Sequence, residues 1–165
     1  GHNVLTALLR LSHDELRERI AVYRDARSQA GYSPQSGMAT LMLHTFVGPD
    51  MDYVEAQVKE VLKEYLRSHM EHTEAVSQEK EGQNTTRLTA SEEEELLEHA
   101  YQRYLQESSL IGTVETCQRT IEKLVAIGVD EVACLVDFGI NGQAMQVGLE
   151  HLAKLQQACR DQLLT

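Results

Sequence analysis

The chain has 165 residues with 26 acidic against 15 basic side chains, a formal net charge of -11 with histidine counted neutral. That excess opposes a polyanionic partner, so neither nucleic acid nor an anionic membrane surface is expected to bind. The length predicts one domain, 1–165, with room for an adequate core, and no apolar run approaches the length of a membrane span. No basic stretch followed by an apolar one opens the sequence, and a cytoplasmic protein is expected. Cys117, Cys134 and Cys159 lie far apart without a Cys-x-x-Cys pair, which predicts buried free thiols in a reducing compartment.

The first apolar run, Val4 to Leu9, begins three residues after an opening without methionine, as expected of a piece cut from a longer chain. At that length periodicity fits either a strand or a helical turn, and the downstream pattern favours a strand. Ser12 with Glu15 forms a capping box, and Leu16, Ile20, Tyr23, Ala26 and Ala30 keep one apolar face until Gly31 and Pro34. Met38 to Val47 is rich in bulky and β-branched residues and ends at Gly48-Pro49, which predicts a second strand. Met42, His44 and Phe46 fall on one face of it; Leu41, Leu43, Thr45 and Val47 fall on the other.

Asp50 can cap the next helix, whose apolar positions Val54, Val58, Val61, Leu62, Tyr65 and Leu66 predict a run to about Ala75. From Ser77 to Ala90 apolar residues nearly vanish, and a mobile loop is expected over 77–90. Thr89 with Glu92, or Ser91 with Glu94, caps a further helix with Leu96, Leu97, Ala100, Tyr101, Tyr104 and Leu105 on its buried side. Ser108 to Gly112 breaks the pattern, and Thr113 opens a helix that Gly128 ends.

The stretch Gly128-Val-Asp-Glu-Val-Ala-Cys-Leu-Val-Asp-Phe-Gly139 then reads as a strand apolar on both faces, the mark of a central parallel strand. Asp137, Phe138 and Gly139 fall at its carboxyl end, where ligands collect in parallel sheets and barrels. A last helix follows Asn141-Gly142. Three parallel strands with helical crossovers leave two open edges, so self-association or pairing with further strands is expected.

Four blocks in order resemble the carboxyl-terminal part of bacterial luciferase-like monooxygenases: Asn3 to Leu9, Leu41 to Gly48, Gly112 to Cys117 and Gly128 to Gly139. They are most similar to the flavin-dependent subgroup of polyketide and nonribosomal peptide assembly lines. The similarity covers the chain apart from the polar loop after Val76. Val114 stands where the family often has proline, a favoured but dispensable residue at a first helical position.

The resemblance implies an α/β fold, a partial TIM-like (β/α)8 barrel made of the last three parallel strands with their helices and a helical insertion. A whole barrel of this type takes about 250 residues, so the missing barrel half would lie upstream. It also implies reduced FMN as cofactor, dioxygen as co-substrate, a small-molecule or carrier-bound natural-product substrate, and a flavin reductase in the parent system. The isolated chain is expected to be inactive. No Walker loop, nucleophile elbow or dinucleotide fingerprint argues for another chemistry.

On that resemblance His44 and Thr6 would be cofactor-binding, and no catalytic residue is singled out. A lone strand histidine is otherwise packing, and a strand threonine can be satisfied by its own backbone. Asp137 and Phe138 would line the substrate pocket, with a turn-capping acid and a core aromatic as the plain alternatives. His69 and His72 are three apart on a helix but lack a third ligand at a usable spacing, so no metal is expected. Glu92 to Glu95 reads as a dipole-matched helix start and not as a cation site. Gly112-Thr113 at a helix start has neither a Gly-rich loop nor a nearby lysine, which leaves it a weak phosphate signal.

Overall fold

A computed structural model describes residues 1–8, 11–81 and 89–163, with the side chains of 69–81 and 162–163 outside that description. In chain order it contains strand β1 (Val4–Ala7), helix α1 (His13–Gln29), a 3-10 turn (Pro34–Ser36), β2 (Ala39–Val47), α2 (Met51–Glu81), α3 (Ala90–Glu107), β3 (Leu110–Gly112), α4 (Val114–Ala126), β4 (Glu131–Leu135) and α5 (Gly142–Leu163). Among the described residues all pairings are parallel and all run through β2. Thr40 to Met42 of β2 pair with both β1 and β4, so these two strands must lie on opposite edges of it. Beyond them β3 pairs with Thr45 to Val47.

The helix starts follow from local chemistry. Ser12 N donates to Glu15 Oε2 at 2.8 Å while Glu15 N donates back to Ser12 Oγ at 3.2 Å, and Thr89 with Glu92 repeats the arrangement on α3. Thr113 and Thr116 close a third box on α4, and Tyr53 N donates to Asp50 Oδ1 at 2.7 Å ahead of α2. Each cap satisfies amides that the first helical turn leaves without partners.

Two apolar layers sandwich β2. Leu41, Leu43 and Val47 pack with Leu16 and Ile20 of α1, Cys117 and Leu124 of α4 and Leu155 of α5. On the opposite face Phe46 packs with Val54, Val58 and Leu62 of α2 and with Leu97, Tyr101 and Tyr104 of α3. The start of the sheet is tied by Asp130, whose carboxylate accepts from Ala39 N at 2.6 Å and pairs with Arg24 of α1.

Four expectations need revision. The Gly128–Gly139 strand is not central among the described residues: there β4 bonds β2 along one edge only, Glu131 and Cys134 are exposed, and β2 takes the centre. Side-chain hydropathy reports which faces resist water, whereas the number of strand neighbours depends on distant backbone. The sheet has four strands among the described residues, because Leu110–Gly112 becomes a strand through its pairing with β2. Helix α2 continues past Ala75 to Glu81, so of the loop expected at 77–90 only 82–88 lie outside the described residues. Of the three thiols only Cys117 is buried, which pushes its pKa up to about 12, while Cys134 is exposed and Cys159 half-buried.

Salt bridges join α2 to α3. Lys63 Nζ lies 2.7 Å from both Glu94 and Glu98, and Lys59 reaches Glu98 at 3.4 Å. Hydrogen bonds from Lys63 and then Gln102 hold the Glu98 carboxyl at about 2, below its ordinary 4.5, and Lys63 likewise holds Glu94 down. A carboxylate whose pKa is lowered on folding stabilises above its ordinary value and loses that contribution as pH falls through the lowered one. Resistance to thermal unfolding is therefore expected to fall between about pH 5 and pH 2. Glu98→Gln should flatten that slope, and high salt should reduce the difference because these groups meet solvent. An unchanged slope in the variant would remove Glu98 from the linkage.

Candidate active site

His44 stands three residues before the end of β2 on the face covered by α2 and α3, and only 4% of it is exposed. Its Nδ1 lies 2.5 Å from the Tyr104 hydroxyl of α3. Three rings surround it edge to face: Tyr65 of α2 at 4.4 Å, Phe138 at 5.1 Å and Tyr104 at 5.7 Å between centroids. Such T-shaped contacts orient an imidazole without charging it. Burial pushes the Tyr104 hydroxyl far up, with Tyr65 adding to the rise, and burial alone raises Tyr65. Both phenols therefore stay protonated near neutrality. The cluster offers hydrogen-bond donors and flat apolar walls.

The backbone that brings Phe138 to His44 turns at Gly139, where φ is +104° and a Cβ would stand 2.8 Å from Val61 Cγ1. Asn141 then caps α5 by accepting from Ala144 N at 2.9 Å.

Of the four site residues read from the sequence, the structure brings His44 and Phe138 together. Asp137, next to Phe138, is exposed. Thr6 pairs in register with Leu41, and alternation along the strands puts both on the face opposite His44. The side chains of His69 and His72 lie outside the described residues; among the described residues no cluster of three or more His, Cys, Asp or Glu is placed to hold a metal ion. Thr113 N donates to Thr116 Oγ1 at 2.8 Å, so the amide at that helix start is already engaged.

Tyr65 and Tyr104 were legible only as buried positions on two helix faces. The one available signal is that a tyrosine among leucines brings a hydroxyl that must find a partner when buried. Which partner depends on the crossing of α3 over β2.

A cavity of about 560 Å³ opens between α4, β4 and α5 and is lined by Val125, Val132, Cys134, Leu149, Leu152 and Cys159 among others. Val132 and Cys134 pair with Leu41 and Leu43, so this cavity faces away from His44.

A family model of luciferase-like monooxygenases matches residues 1–131. The chain belongs to the luciferase-like monooxygenase family. Among solved structures, the crystal structure of monooxygenase RslO1 from Streptomyces bottropensis is similar with a TM-score of 0.59 at 17% identity, over 93% of this chain and 42% of that one. The chain thus spans less than half the length of that monooxygenase, and the likeness is one of fold: a parallel sheet with its helices, part of a luciferase-like barrel and not closed. No curated relative matches. Among the described residues no helix is long and apolar enough to cross a membrane.

Proposed function

We propose that this luciferase-like chain is the carboxyl-terminal portion of a flavin-dependent monooxygenase that uses reduced FMN and dioxygen to oxidise a natural-product intermediate. The observation that carries the reading is His44 at the carboxyl end of the central strand, walled by Tyr65, Tyr104 and Phe138. Ligands of parallel sheets sit at that end. An imidazole between aromatic walls suits the edge of a flat ring system such as an isoalloxazine.

The cofactor's phosphate has no match in this cluster. Lys59, Lys63 and Arg67, the basic residues of α2 facing α3, are engaged by Glu55, Glu64, Glu94 and Glu98. His44 and Phe138 would therefore hold the ring, and the phosphate would fall to other βα units of the parent.

When bound, reduced flavin supplies the electrons that activate dioxygen. The share of these residues is to orient the ring and to exclude water. A flavin reductase would supply the reduced cofactor, and the substrate would be a small molecule or a carrier-bound intermediate.

The chain alone is expected to bind FMN weakly and to turn over little. Titration followed by flavin fluorescence should saturate, and His44→Gln should weaken binding about tenfold, the worth of one polar contact. Absence of saturable binding, or equal affinity in the variant, would remove His44 from the cofactor site.

A second reading is favoured by the edges of the sheet. Among the described residues both β1 and β4 bond β2 on one side only, so the chain would act as an interaction module that pairs with a second copy or a missing half-barrel. Solution molar mass decides between a monomer that takes flavin and an associated species that does not.

A further inference from the structure

We propose that Tyr104 is a positioning residue for His44: its hydroxyl donates to Nδ1 and holds the imidazole in the neutral tautomer that carries its proton on Nε2. The inference rests on the reading of His44 as part of the active site, and it specifies what that residue offers there, a hydrogen-bond donor and not a base.

The geometry supplies the direction of the bond. Tyr104 is buried, and among the described residues His44 Nδ1 is the polar atom recorded within hydrogen-bond reach of its hydroxyl. If Nδ1 carried a proton, the phenol oxygen would have to accept it and its own O–H would be left without an acceptor away from water. Among the described residues that form leaves two buried groups unmet, the phenol O–H and the Nε2 lone pair, whereas the proposed tautomer leaves one, the Nε2–H, which is the group a ligand would meet. The same reasoning disfavours an imidazolium, which carries protons on both nitrogens.

The neighbours agree. Facing His44 are the Tyr65 ring from α2, the Tyr104 ring and hydroxyl from α3, and the Phe138 ring beyond β4, with Leu135 beside it in register. Asp137, the nearest carboxylate in sequence to that group, is exposed. Both phenols stay protonated, which leaves the Tyr104 hydroxyl a donor through the neutral range.

The assignment also gives the two helices of the long β2–β3 connection a part in the chemistry. The histidine comes from the sheet, but its protonation is set from α3 by Tyr104, which lies 60 residues further along the chain.

The test is nitrogen NMR of the chain labelled in its histidines, recorded without flavin near neutral pH, with His44 identified by its loss in His44→Gln. The expected wild-type pattern is a protonated Nε2 and an unprotonated Nδ1. In Tyr104→Phe, which keeps the ring and removes only the hydroxyl, the preference should fall roughly tenfold and the Nδ1–H form should grow in.

A protonated Nδ1 or a charged ring in the wild type would overturn the proposal, as would an unchanged ratio in a folded Tyr104→Phe chain. Should that variant fail to fold, the wild-type spectrum decides alone. The spectrum needs no cofactor, so a chain that binds no FMN leaves the tautomer result standing, and a wrong tautomer leaves the FMN titration to be judged by itself.

Discussion

Replacing Leu41 with Ala is expected to lower the unfolding free energy by about 3 kcal/mol, a fall in melting temperature of roughly 10 °C for a chain of this size. Leu41 is fully buried, and its register neighbours are Thr6 on one side and Val132 on the other. It sits in the layer formed with Leu16, Ile20, Leu124 and Leu155, so truncation opens a void to which three helices contribute. Those helices are held by their caps and by each other, which limits collapse into the void.

The comparison that makes this informative is Leu5→Ala on the outer strand β1. Leu5 pairs with Thr40 and is 62% exposed, on the face opposite Leu41. Its loss should change stability by less than about 0.5 kcal/mol. Chemical denaturation of the two variants checks both numbers. Similar costs for the two would mean that the helical layers do not lie as described.

Gly139→Ala is expected to cost about 1–3 kcal/mol and to disturb the site at the same time. The residue has φ of +104°, a conformation that strains any side chain, and its new Cβ would stand 2.8 Å from Val61 Cγ1. Relief requires the turn after β4 to move, and the residue before it is Phe138, whose ring lies 5.1 Å from that of His44. The ring-proton shifts of His44 should therefore change together with the stability.

Gly142→Ala, three residues on, is the control. Nothing lies within 4 Å of a Cβ there, and the position is the first residue of α5. That substitution should be neutral or stabilise by up to about 1 kcal/mol. If Gly139→Ala behaved like Gly142→Ala, the turn would not be what holds Phe138 in place.

The helices were readable because their causes are local. Ser12 with Glu15 and Thr89 with Glu92 announce their helices within four residues, and the glycines at 31 and 128 end helices with φ of +81° and +98°. The two-faced pattern of β2 was equally legible, since its nine residues suffice to show period two. The three residues of β3 could show no period at all. The candidate site divides in the same way. His44 was visible from its place near a strand end and Phe138 from its place after one, but the distance between them follows from the pairing of β4 with β2.

What the sequence determined by itself was helices α1 to α5, the strands other than β3, the α/β class and the family, because caps, turns and alternating hydropathy act over a few residues and four such blocks in order are specific. What the tertiary structure decided was which strand lies in the centre, that Thr6 and His44 occupy opposite faces, and that Tyr104 meets His44 Nδ1. Each of these is a contact between segments separated by tens of residues, and no local periodicity encodes which distant edge or hydroxyl will be the partner.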